Sequence, residues 1–159
     1  PVPASSGPRL DGVPFARVVV RTGDSISGIA MRKYGQSTPT ILDLVKLANP
    51  GLRDIDRISV GQTVRLPQLA DGFPILKDAG NRYSLLVFST QEAARAKSLR
   101  NALRNKGFEA VVSRGKMGRS KSMFRVLLAG FSSRQEVAKV GERLQRVVRE
   151  DPVVAALTR

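Results

Sequence analysis

Apolar positions change their period several times along this chain, and each change marks an element. Val18-Val19-Val20 is a β-branched run that predicts a short strand over 16–21. Ile26, Ile29, Ala30 and Tyr34 then recur at helical spacing, which predicts a helix over 25–34 with Asp24 or Ser25 as its cap and Gly35 as its stop. Ile41, Leu44, Val45 and Ala48 share one face of a second helix over 40–48, and Asn49-Pro50-Gly51 ends it. A charged loop over 52–59 and a Val60-Gly61-Gln62 turn lead to a closing strand at 63–66, stopped by Pro67.

Further along, alternation at 83–89 predicts a strand, and Thr90 can cap a helix over 91–106 with Ala94, Leu99, Ala102 and Leu103 as its apolar stripe. Strands are expected at 108–113 and 123–129, joined by the Gly-punctuated basic hairpin 114–121. Ser133 caps a helix reaching about 148, with Val137, Val140, Leu144 and Val147 on one face. Asp151-Pro152 reads as its stop, and 153–157 as a last edge strand. The run 86–93 weakly echoes 128–137: each is a strand, then a Ser/Thr cap, then an acidic residue.

The order is therefore β-α-α-β followed by β-α-β-β-α-β, an α+β chain of two small domains. Residues 1–15, rich in Pro, Ser and Gly, read as a linker; 16–69 form the first domain, 70–80 a second linker and 81–159 the second domain. The chain begins at Pro1 without Met and reads as a fragment of a longer protein, with any targeting sequence or membrane anchor upstream. No run of 18 apolar residues is present, so no membrane span is expected within it.

Composition narrows the chemistry. There is no Cys and no His, so thiol catalysis, disulfides and the commonest general base and metal ligands are excluded; neither cofactor nor metal is expected. Asp54 and Asp56 share a loop, but flanking Arg53 and Arg57 would keep both ionised, and a binding role rather than an enzyme is expected. The formal charge is +14. Residues 1–70 hold nine Lys and Arg against five Asp and Glu, leaving eighteen against eight for 71–159. The basic excess thus lies mainly in the second domain and favours an anionic polymer as partner. Nucleic acid is not expected, because the aromatic signature of a base-stacking central strand is missing from 122–129.

Two sets of motifs carry a resemblance. Gly23-Asp24-Ser25-Ile26-Ser27 after the first strand, Tyr34-Gly35, Asn49-Pro50 and Val60-Gly61-Gln62 before Val64 and Leu66-Pro67 resemble a LysM domain over about 17–68. That resemblance implies binding of N-acetylglucosamine polymers in a shallow groove. Gly23, Asp24, Ser25 and Ile26 would line one wall, and Asn49, Pro50, Gly51 and Leu52 the other. Backbone groups would hold N-acetyl groups while Ile26 and Leu52 touch their methyls. On their own, Asp24 and Ser25 also suit plain helix caps, and Asn49-Pro50-Gly51 plain punctuation.

Tyr83, Leu85, Val87 and Ser89, then 103–110, then Phe124-Arg125-Val126 with Leu128 and 130–136 resemble a SPOR domain over about 81–158. This implies a ferredoxin/RNP-like β-α-β-β-α-β fold that binds peptidoglycan glycan strands lacking stem peptides on its exposed sheet face. Strand alternation turns Leu85, Val87, Val126 and Leu128 toward the helices. Ser84, Leu86, Phe88, Met123, Arg125 and Leu127 would then face the glycan or a partner protein. The chain departs from the family at Leu86, where many members carry Gln, and at Phe88, where many carry a small residue. An apolar face of this kind equally suits cover by a linker or by the other domain.

The two resemblances together imply a non-catalytic peptidoglycan-binding chain that anchors a larger bacterial envelope protein in the periplasm or cell envelope. Other envelope proteins are the alternative partners, through the apolar sheet face.

Overall fold

The computed structural model describes residues 7–159; residues 1–6 of the stretch read as a linker lie outside them. The first domain is a β-α-α-β unit. Strands β2 (Phe15–Val19) and β3 (Thr63–Pro67) pair antiparallel, with Arg17 opposite Arg65 and Val18 opposite Val64. Helices α1 (Ile26–Tyr34) and α2 (Pro39–Ala48) pack against them. Ser25 caps α1 by accepting from the Gly28 amide, and Thr38 caps α2 by accepting from the Ile41 amide. Gly35 ends α1 at φ 76°, a left-handed conformation that glycine adopts without strain. The Tyr34 hydroxyl donates to the Pro67 carbonyl and ties the end of α1 to the end of β3. Burial pushes that phenol up to about 12.

The second domain is a sheet of order β1-β4-β5-β7-β6. Its members are β1 (Arg9–Leu10), β4 (Ile75–Lys77), β5 (Tyr83–Thr90), β6 (Ala110–Lys116) and β7 (Ser122–Phe131). Helices α3 (Ala93–Asn105), α4 (Arg134–Glu150) and α5 (Pro152–Leu157) cover one face. Leu99, Leu103, Val126, Leu128, Val137 and Leu144 are among the residues that fill the layer between.

Three features differ from the sequence-based expectation. Residues 153–157 form α5 rather than an edge strand. The Asp151 carboxylate accepts from the amides of Val153 and Val154, and Pro152 takes the first helical position, so Asp-Pro starts a helix as well as ending α4. The sheet edge is supplied from elsewhere: β1 lies in the stretch read as the first linker and β4 in that read as the second, and they pair with each other. Strands of two and three residues are too short to show alternation. Finally, α3 starts at Ala93 behind Glu92, which makes no side-chain cap bond; the Thr90 hydroxyl accepts from the Glu92 amide two residues on, in a local turn before the helix.

The other face of the sheet is covered by the first domain. Leu44 and Leu47 of α2 pack with Leu76, Leu86 and Leu127 of the sheet. Met117 and Met123, from the β6–β7 hairpin, join the core of the first domain beside Ile26, Leu52 and Ile55. The molecule is thus three layers: helices, sheet, and the β-α-α-β domain.

Candidate functional site

The strand–helix corner at 20–26 is built by its own polar groups. Gly23 turns the chain at φ 85°. One carboxylate oxygen of Asp24 accepts from the Arg21 amide at 2.8 Å and the other from the Arg32 guanidinium at 3.0 Å. The Arg21 amide, then Arg32, hold this carboxyl below its ordinary 3.8. The ionised form therefore favours the fold fully above about pH 4, and this contribution is lost as pH falls through the lowered native value. Asp24→Asn should show a shallower loss of thermal stability than the parent chain as pH falls below about 4, the two curves converging at the acid end. Parallel curves in pH-dependent melting would remove Asp24 from the corner's electrostatics.

On the opposite side, Asn49 ends α2 and reaches β3: its amide donates to the Val45 and Arg65 carbonyls, both at 2.7 Å, and its carbonyl accepts from the Arg65 amide at 2.8 Å. Pro50 is half-buried and Gly51 exposed. Ile26 is 2% exposed and Leu52 5%. The apolar contact expected of both is made within the protein, in the cluster that contains Met117 and Met123.

A cavity of about 290 Å³ lies where the groove was expected, and Asp24, Ser25 and Ile26 line it on one side. Its other side is made by Ile55, Asp56 and Ile58 rather than by Asn49, Pro50, Gly51 and Leu52. Met117, Lys121 and Met123 of the second domain close it. The Ile55 amide donates to the Met117 carbonyl at 2.9 Å. Lys121 pairs with Asp56. Ile55 and Ile58 escaped the sequence reading because they sit among charged residues in a loop without period. Their three-residue spacing was the available signal.

On the sheet face, Leu86 and Leu127 lie under α2 and Met123 under the corner of the first domain. Ser84 stands opposite Leu76 in the sheet register. Arg125 is 6% exposed and grips Asp43, itself wholly buried in the middle of α2, with two bonds of 2.7 Å. The Ser89 hydroxyl adds a 2.6 Å bond to the same carboxylate. Gly115 makes this possible, because a Cβ there would stand 2.5 Å from the guanidinium.

Phe88 is a correction. It belongs to the helix-side cluster and lies beneath the Arg95 guanidinium, not on the face with Leu86. The pairing with β7 shifts between Leu86 and Phe88, and this extra residue inverts the alternation beyond it. Ser89, opposite Arg125, thereby turns toward α2.

Among the described residues no group of three or more His, Cys, Asp or Glu is placed to hold a metal, and no helix is long and apolar enough to cross a membrane. No curated protein and no solved structure matches the chain. Two family models do: that of the LysM domain over residues 18–67 and that of the SPOR domain over residues 79–155. Both are peptidoglycan-binding modules of a kind typical of bacterial cell envelope proteins. The chain is a LysM domain followed by a SPOR domain.

Proposed function

We propose that this chain is the non-catalytic wall-binding part of a larger envelope protein, which it tethers to peptidoglycan glycan strands on the periplasmic side. The observation that carries the reading is the succession of two peptidoglycan-binding modules in one chain. Each binds glycan through a shallow surface, the LysM domain at the corner around Gly23, Asp24, Ser25 and Ile26 with the loop after α2, and the SPOR domain across its sheet face. Two weak sites on one polymer give avidity through effective concentration. The +14 charge adds attraction to an anionic wall, screened beyond about 10 Å at 0.1 M salt. Asp54 and Asp56 are committed to Arg57 and Lys121, which supports binding rather than acid–base chemistry at that loop.

Sedimentation with purified sacculi tests the reading. The chain should pellet with sacculi, and raising the salt should weaken but not abolish this, because hydrogen bonds and apolar contacts to sugar outlast screening. Retention that vanishes at moderate salt would mean charge attraction alone. The face given above as the alternative protein-docking surface already holds α2 of the same chain.

A further inference from the structure

We propose that the two domains mask each other's glycan-binding surfaces, so that this chain rests in a closed state which glycan must open. The inference rests on the peptidoglycan-binding reading above and concerns its regulation.

Closure uses both surfaces at once. The SPOR sheet face is occupied by α2, through Leu44 and Leu47 on Leu86 and Leu127 and through the Asp43–Arg125 pair. Thr40 adds a polar seam, its hydroxyl accepting from the Ser89 amide at 3.1 Å and donating to the Ser89 carbonyl at 3.3 Å. The LysM groove is occupied in turn by the basic hairpin of the SPOR domain. Met117 there is 2% exposed. Its carbonyl accepts from the Ile55 amide, and its side chain joins the cluster of Ile26, Leu52 and Ile55. Met117 thus fills the groove with a hydrogen-bond acceptor and an apolar side chain, the two kinds of contact an N-acetyl group would make there. Lys121 on Asp56 fastens the hairpin, and Gly118 leaves room for the Asp54 carboxylate beside it.

The connections suit opening without unfolding. Two chain segments cross between the domains, 11–14 and 68–74, and they lie side by side, the Gln68 amide donating to the Pro14 carbonyl at 2.7 Å. Both crossings at one place form a hinge. Apparent affinity at either surface is then reduced by the open fraction, and glycan on one surface uncovers the other. Weak binding to a lone oligosaccharide and firm binding to an extended wall follow from the same equilibrium.

A disulfide lock tests this, helped by the absence of native Cys. The Asp54 Cγ lies 2.9 Å from where a Cβ on Gly118 would sit, so D54C with G118C brings two thiols within bonding reach across the interface. The oxidised D54C/G118C chain should lose binding to sacculi and to chitohexaose, and reduction should restore it. Met117→Ser, in the same two-domain chain, should raise apparent affinity for chitohexaose by about tenfold, as expected when a mostly closed population is released. Equal binding by oxidised and reduced forms would overturn the latch and leave the glycan reading standing. No binding by the reduced, parent and Met117→Ser chains alike would overturn the glycan reading, and the latch with it.

Discussion

Arg125→Met is expected to destabilise the closed chain by about 3–5 kcal/mol, the usual consequence of leaving a buried charge without its partner. Asp43 is 0% exposed and both of its oxygens are engaged by Arg125, with Ser89 adding one further bond. Water cannot replace the guanidinium while α2 stays on the sheet. Lys46 also feels the Asp43 charge, but burial, the largest cause lowering its pKa, opposes its charged form and limits what it can replace. Loss should therefore appear first as separation of the domains. Hydrogen exchange should rise across α2 and β7 before it rises in the helix-side core around Leu99 and Leu144. The pair as a whole contributes much less than either half. Desolvating two charges offsets most of their attraction, so Arg125→Met combined with Asp43→Leu should return to within about 1–2 kcal/mol of the parent. A single variant as stable as the parent in urea melts would show that the carboxylate escapes to solvent. A double variant no better than the single would show that the pair itself, rather than the orphaned charge, holds the layers together.

That ion pair also shows what could be read from the residues. Arg125 and Asp43 stand 82 positions apart, and nothing in either neighbourhood names the other. Alternation correctly turned Arg125, Met123 and Leu127 to one face of β7, because period two is a local property of a strand. What covers that face is a property of two domains, and an apolar face suits a ligand, a partner or a neighbour equally well. In the LysM half α1 was legible down to its caps, since Ser25 and Gly35 act through bonds within one turn, whereas the Thr38 cap of α2 lay outside the helix expected at 40–48. The SPOR half was legible except where pairing supplies the information. A bulge after Leu86 reversed Phe88, and β4 and β1 exist only through pairing, β4 on β5 and β1 on β4. Asp151-Pro152 was read only as a stop, although the same two residues make a good helix start.

Asn49→Ala is expected to cost about 2 kcal/mol of stability while leaving sugar recognition nearly unchanged, which separates the two meanings of Asn49-Pro50-Gly51. The Asn49 amide behaves like one residue of an extra strand on the outer edge of β3, exchanging a donor and an acceptor with Arg65 while also satisfying the Val45 carbonyl at the end of α2. Ala removes three bonds at once. Two of them lie at the exposed edge, where water takes over, and this keeps the loss below the sum of three buried bonds. Asn49→Asp should be worse than Ala, because a carboxylate would face two carbonyl oxygens where the amide now donates. Both effects should move the urea midpoint without changing the slope, since the extent of unfolding is the same. Chitohexaose affinity, measured in the opened Met117→Ser background, should stay within about twofold, because the cavity beside Asp24 is completed by Ile55 and Ile58 and not by Asn49. A tenfold loss of affinity with an unmoved urea midpoint would instead make Asn49 a sugar contact and move the groove toward Pro50 and Gly51.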